Sequence, residues 1–133
     1  MRTAVLALAA TLITTACRPA PKPESKPLIG WRPAGTWSGR GDSQTDSFNI
    51  ESGQFRIKWE AANETAPGKG TLKLTVHSAV SGRFLALALD HKGAGKDVSY
   101  IYDDPRIYYL EIESHDVDWT LKVEELVVGP PEP

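Results

Sequence analysis

Over most of this chain the hydrophobic positions recur every second residue. Phe55, Ile57 and Trp59 alternate with Arg56, Lys58 and Glu60, and Leu72, Leu74 and Val76 alternate with Lys73, Thr75 and His77. The rhythm returns in Tyr108, Leu110 and Ile112 against Tyr109, Glu111 and Glu113, and again in Trp119, Leu121 and Val123 against Thr120, Lys122 and Glu124. Successive side chains of an extended strand point to opposite faces, so each segment predicts a strand with one face buried and one wet. Phe84 to Leu89 is apolar on both faces and predicts a more central strand. Phe48 with Ile50, and Val98 to Tyr102, supply two more strands, and a short one around Trp37 brings the expectation to seven or eight.

The punctuation between these segments agrees. Ser52-Gly53 and Ser81-Gly82 suit tight hairpin turns, while Ala66 to Gly70, Lys92 to Gly95 and Asp103 to Pro105 have loop chemistry. No segment combines a period of 3.6 with an N-cap. The expected fold class is all-β, an antiparallel β-sandwich or jelly roll over residues 31–128, with a small closed barrel as the rival. Trp59 and Trp119 are the heaviest expected core pieces. The closing pattern, Tyr108 to Ile112 followed by Trp119 to Glu124, is similar to the end of small secreted bacterial β-sandwich modules. That resemblance implies a fold and carries no activity.

The first residues have a different grammar. Met1-Arg2 is followed by an apolar run from Ala4 to Ile13 and then by Thr14-Thr15-Ala16-Cys17. One positive charge, a short apolar run and small residues before a cleavage point are the parts of a secretory signal. The segment resembles the lipobox of bacterial lipoproteins, in which signal peptidase II cuts before a cysteine that carries lipid. Ala16 fits the small residue before that cysteine; Thr14 departs from the pattern, which usually has leucine there. The resemblance implies that residues 1–16 are removed, that Cys17 is acylated, with palmitate among its chains, and that the protein is held on a membrane. Arg18 stands where aspartate usually marks inner-membrane retention, so the implied home is the outer membrane of the bacterial cell envelope. A plain secretory signal with an incidental cysteine is the alternative.

Arg18 to Pro27 carries prolines at 19, 21, 23 and 27, which prevents helix and favours extended polyproline II. Residues 17–30 therefore read as a lipidated cysteine and tether, and residues 129–133, closing on Pro130-Pro131-Glu132-Pro133, as a loose tail.

Composition narrows the function classes. With 133 residues there is room for one domain, and a net charge of -2 argues against a dedicated nucleic-acid binder, which would carry a basic stripe. The single cysteine excludes an intramolecular disulfide and any multi-cysteine metal site. His77, His91 and His115 are spread over separate elements without metal-ligand spacing, and His77 falls on the outward side of its strand, where a solvated surface histidine is expected. Gly68-Lys69-Gly70-Thr71 and Gly93-Ala94-Gly95 lack the glycine spacing and following helix of a phosphate loop and read as turns. There is no nucleophile elbow and no cofactor motif, so the chain reads as non-enzymatic. Arg40-Gly41-Asp42 and Asn63-Glu64-Thr65 are three-residue matches of the kind chance supplies.

Two features remain as candidate sites. Asp42 with Asp46, and Asp103 with Asp104, lie in loops that suit turns or, alternatively, the oxygen ligands of calcium, and Asp116 with Asp118 forms a third such loop. Tyr100 and Tyr102 share one strand face, Tyr109 points outward beside Ile107, and Trp31 and Trp37 stand near the start of the domain. Such aromatics either fill the core or form a surface for ligands. The expected function is a membrane-anchored, non-enzymatic envelope module that binds a protein or polymer partner. A carbohydrate-binding module for peptidoglycan or capsule is the alternative, and an enzyme of unrecognised type the second alternative.

Overall fold

Each period-two segment becomes a strand in the computed structural model, which describes residues 28–129. Residues 1–27, which hold the expected signal, Cys17 and the prolines of the expected tether, and residues 130–133 lie outside the described residues. The strands are β1 (Leu28–Arg40), β2 (Ser43–Gln44), β3 (Phe48–Ile50), β4 (Gln54–Ala62), β5 (Thr71–Ser78), β6 (Phe84–Lys92), β7 (Gly95–Tyr102), β8 (Arg106–His115) and β9 (Asp118–Gly129). Sheet I has the order β1-β9-β4-β7 and sheet II the order β2-β8-β5-β6, with β3 continuing the lane of β2 beside β8. All pairings are antiparallel. Apart from β2 to β3, only the β5–β6 hairpin stays within one sheet; every other connection crosses between sheets. That winding is a jelly roll.

The two inner faces meet in one core. Ile57, Leu72, Leu74, Val76, Leu110, Leu121 and Val123 are fully buried, and Trp59 and Trp119 nearly so. The strict alternation is what makes this possible, because a one-residue slip of any strand would turn its whole apolar set outward. The Trp119 ring covers Gly39 on the neighbouring strand and donates its indole N–H to the Gly41 carbonyl at 3.0 Å. Phe48, Phe55 and Tyr108 form an aromatic wedge at the other end, with Tyr108 centred 5.0 Å from Phe55. The Tyr108 hydroxyl donates to the carbonyl of Asp104 and ties the β7–β8 loop to the core. Immunoglobulin-type sandwiches use the same kind of contact, the tyrosine corner.

Three expectations are corrected. Trp37 is not on a short strand of its own: it lies within β1, which runs from Leu28 to Arg40 with a register shift between Pro33 and Gly35 and pairs with β9 through Gly129. Mutual pairing of β1 and β9 satisfies backbone groups that neither segment could satisfy alone. Phe84 to Leu89 forms an edge strand, not a central one. The β5–β6 register shifts twice, between Leu74 and Thr75 and between Val76 and His77, so Leu85, Ala86, Ala88 and Leu89 pack toward the core while Phe84 and Leu87 face out. The continuous apolar run reflects bulges, which spoil the edge for pairing with another chain, and not burial on both faces. Finally, His77 lies on the outward side of β5 yet is only 8% exposed. Its ring stacks on Tyr109 at 5.1 Å and 9°, meets Phe84 edge-on at 5.9 Å, and stands 3.2 Å from the Glu111 carboxylate.

The sandwich has two distinct ends. The entry end holds Leu28, Gly129, the β3–β4 turn, the β5–β6 loop and the β7–β8 loop; the far end holds the β1–β2, β4–β5, β6–β7 and β8–β9 connections.

Candidate binding face

The outer face of sheet I carries the aromatic residues. Register places Pro33, Glu124, Arg56 and Tyr100 in one row across β1, β9, β4 and β7, with Trp31 opposite Leu126 and Gln54 opposite Tyr102 one step nearer the entry end. Tyr100 and Tyr102 are 51% and 71% exposed. Trp31 leans inward from the edge strand, its ring centred 6.1 Å from that of Tyr100 and inclined to it by 57°. The Arg56 guanidinium lies over the Trp31 ring at 4.1 Å. A cation held on an aromatic face fixes both side chains at an otherwise open surface.

Charge is arranged behind these rings. Glu124 accepts from Arg56 at 2.9 Å and stands 3.2 Å from the Lys58 ammonium. Burial pushes the Glu124 carboxyl up, but hydrogen bonds from Lys58 and Arg56 outweigh it and hold the group below the ordinary glutamate value. The next residue, Glu125, points inward at the entry end and is 2% exposed. Its Oε1 accepts from the backbone N–H groups of Glu51 and Ser52 at 2.6 and 2.9 Å, and its Oε2 from Arg32. Burial opposes ionisation here too, and Arg32 with the two N–H groups again wins, leaving Glu125 below the ordinary value. Toward the far end the face continues as a shallow open depression whose rim includes Lys58, Lys96, Val98 and Lys122. The outward side chains of β4, β7 and β9 thus present Arg56, Lys58, Lys96 and Lys122 against Glu60, Asp118 and Glu124, a basic excess of one in a chain of net negative charge.

The expected site residues do not all converge. Tyr100 and Tyr102 share the face as anticipated, but Tyr109 lies on the outer face of the opposite sheet, stacked on His77. Trp37 is packed against Phe48 at 5.6 Å at the margin of the core. Arg56 and Glu124 escaped notice because a period-two pattern reports which face a residue takes and not which residues lie across from it.

The acidic loops do not converge either. Asp42 is at the far end, accepting from the Ser114 N–H at 3.0 Å, and Asp46 lies between β2 and β3. Asp103 and Asp104 are at the entry end, bonded to Arg106 at 3.2 and 3.4 Å. Asp116 accepts from the Thr65 hydroxyl and N–H and from Arg40, and Asp118 from Asn63 and Arg40. These bonds hold both aspartates below the ordinary value, the largest lowering coming from Thr65 in one case and Asn63 in the other. Among the described residues no three His, Cys, Asp or Glu side chains gather as a metal would need. Asp42, Asp103 and Asp116 accept from backbone N–H groups that would otherwise lack partners, while Asp104 and Asp118 accept from side chains.

No known protein family matches this chain, and no curated protein does.

Proposed function

We propose that this protein is a lipid-anchored module of the bacterial envelope that works by binding rather than catalysis, through the outer face of sheet I. The observation that carries the binding reading is the cluster of Trp31, Arg56, Tyr100 and Tyr102: two exposed tyrosines beside a half-buried tryptophan that a stacked guanidinium holds on the sheet. Rings with few rotatable bonds lose little entropy when covered, and a preorganised cation lowers the cost further. The anchoring half of the reading rests on the Thr14-Thr15-Ala16-Cys17 segment and the proline-rich stretch after it. A glycan-binding module is the competing reading. Stacking on sugars favours coplanar rings, and the 57° inclination of Trp31 to Tyr100 is why a less planar partner surface is preferred.

The test has two arms. Cells expressing the chain or its Cys17→Ser variant are labelled with radioactive palmitate and fractionated. Label should appear in the parent and vanish in the variant, with the variant leaving the membrane; a variant that stays bound and is cut at the same site overturns the anchor. In parallel, a photo-crosslinking residue replaces Tyr102 in cells, with Lys69 as the far-end control. Envelope adducts from position 102, weakened by Trp31→Ala, support the face; equal yields from both positions reject it.

A further inference from the structure

The exposed apolar side chains are segregated along the long axis of the sandwich. On sheet I, Ile29, Tyr100, Tyr102 and Val128 all stand in the half nearest the entry end; on sheet II so do Phe84 and Ile107. Leu87 lies at mid-strand, and among the described residues the far end exposes no large apolar side chain. Its loops are instead knit by Arg40, Asn63 and Asp116. Scattered apolar exposure is ordinary on a soluble surface, but its collection around one end is not.

That end is also where the chain arrives from Cys17. Ten residues, 18–27, separate the cysteine from Leu28, and at about 3.1 Å per residue they reach roughly 30 Å when fully extended. From this coincidence, and resting on the lipid-anchored reading above, we infer that the entry end docks on the headgroup layer of the membrane that carries the lipid. The partner of the aromatic face is then an anionic bilayer surface.

The chemistry of the face fits that partner. Tryptophan and tyrosine settle at the boundary between hydrocarbon and water because one part of each ring system is apolar and another hydrogen-bonds. Of the basic residues on the same face, Arg56 and Lys58 face Glu124, and Lys122 and Lys96, nearer the far end, are left to be drawn to anionic headgroups. At the entry end itself Arg106 faces Asp103 and Asp104, and Arg32 faces Glu125 and Glu51, so the cations there are already taken up and the apolar side chains carry the contact. A short tether raises the effective concentration of the face at the bilayer to the order of millimolar, so a contact too weak to recruit a free protein holds a tethered one. The far end then projects into the aqueous compartment.

The experiment uses the acylated chain in vesicles of phosphatidylethanolamine and phosphatidylglycerol. Cys17 is the only native cysteine, and the lipid consumes it. A thiol introduced by Val128→Cys at the entry end, or by Lys69→Cys at the far end, is therefore the sole site for an environment-sensitive dye. Docking predicts a blue shift and loss of iodide quenching at position 128 and neither at position 69. Adding Ile29→Glu with Tyr102→Glu, both at exposed positions, should restore quenching at 128 while the protein still floats with the vesicles. Full quenching at 128 in vesicle-bound protein overturns the inference. So does protection at 128 that appears only when peptidoglycan or a partner protein is supplied. If the protein fails to float, the anchor is what fails. With no tether to hold so weak a contact, the docking inference then falls with it, whereas full quenching in protein that floats overturns docking alone.

Discussion

The guanidinium carbon of Arg56 stands 4.1 Å above the ring of Trp31, while the same group donates to the buried carboxylate of Glu124 at 2.9 Å. One side chain thus joins the aromatic surface of sheet I to the charge beneath it, across β1, β4 and β9. Neither contact could be read from neighbouring residues, since the three come from widely separated segments.

Removing that link should affect stability and surface together. Arg56→Ala leaves Glu124 with Lys58 alone and uncovers Trp31; loss of the charge-assisted bond should cost about 1.5–3 kcal/mol in urea unfolding. Arg56→Lys keeps the charge but not the planar fork, and should recover only part of it. Tryptophan emission should shift to the red in the alanine variant. Unchanged stability and emission in that variant would count against the stacked arrangement.

Trp119 fills the far half of the core, covers Gly39 and satisfies the Gly41 carbonyl. Trp119→Ala should lower stability by about 3–5 kcal/mol, measured as the change in urea midpoint multiplied by an unchanged slope. A variant that unfolds at the parent's midpoint would mean that this register is wrong.

At the entry end, the Tyr108 hydroxyl is the one group tying the Asp104 carbonyl to the core. Tyr108→Phe preserves the ring contacts and removes that bond, so a loss of about 1 kcal/mol is expected. Amide exchange should quicken around Asp103, whose N–H bonds the Gly53 carbonyl at 2.9 Å, while exchange in β5 is unaffected below the global limit.

Gly53 is held at φ +74°, and an added Cβ would run into the Asp103 carbonyl. Gly53→Ala should therefore destabilise the protein by more than about 1 kcal/mol. Gly41 has φ +86° but open space around it, so Gly41→Ala meets only the backbone penalty and should cost less. Thermal melts of the two variants rank the effects directly; an inverted order would refute the close approach at Gly53.

Acid should loosen the entry end. Arg32 and the N–H groups of Glu51 and Ser52 hold Glu125 below the 4.5 of an unperturbed glutamate. A carboxyl depressed in the folded state contributes its full stability above the unfolded value. That contribution is lost as pH falls through the folded one. Unfolding free energy should thus be flat near neutrality and decline below about pH 4.5. Glu125→Gln should lower stability at pH 7 and flatten the acid limb. An equally steep limb in the variant would place the titration elsewhere, with Glu64, Asp116, Asp118 and Glu124, all similarly depressed, as the remaining groups.

Alternation along the chain was enough to determine most strands, the inward and outward partition of Tyr108 and Tyr109, the burial of Trp59 and Trp119, and an all-β sandwich. These follow from local geometry, because a strand of period two has only two faces and water selects between them. What the pattern could not carry was adjacency. The lane each strand takes, the demotion of Phe84 to Leu89 to a bulged edge, and the burial of outward-facing His77 under Phe84 and Tyr109 all depend on residues distant in sequence. The same holds for the separation of Tyr109 from Tyr100 and Tyr102, and for the gathering of Arg56 and Glu124 behind Trp31. Only the jelly-roll winding, in which nearly every connection changes sheets, decides which side chains share a face, because neighbours across a sheet are set by pairing and not by order along the chain.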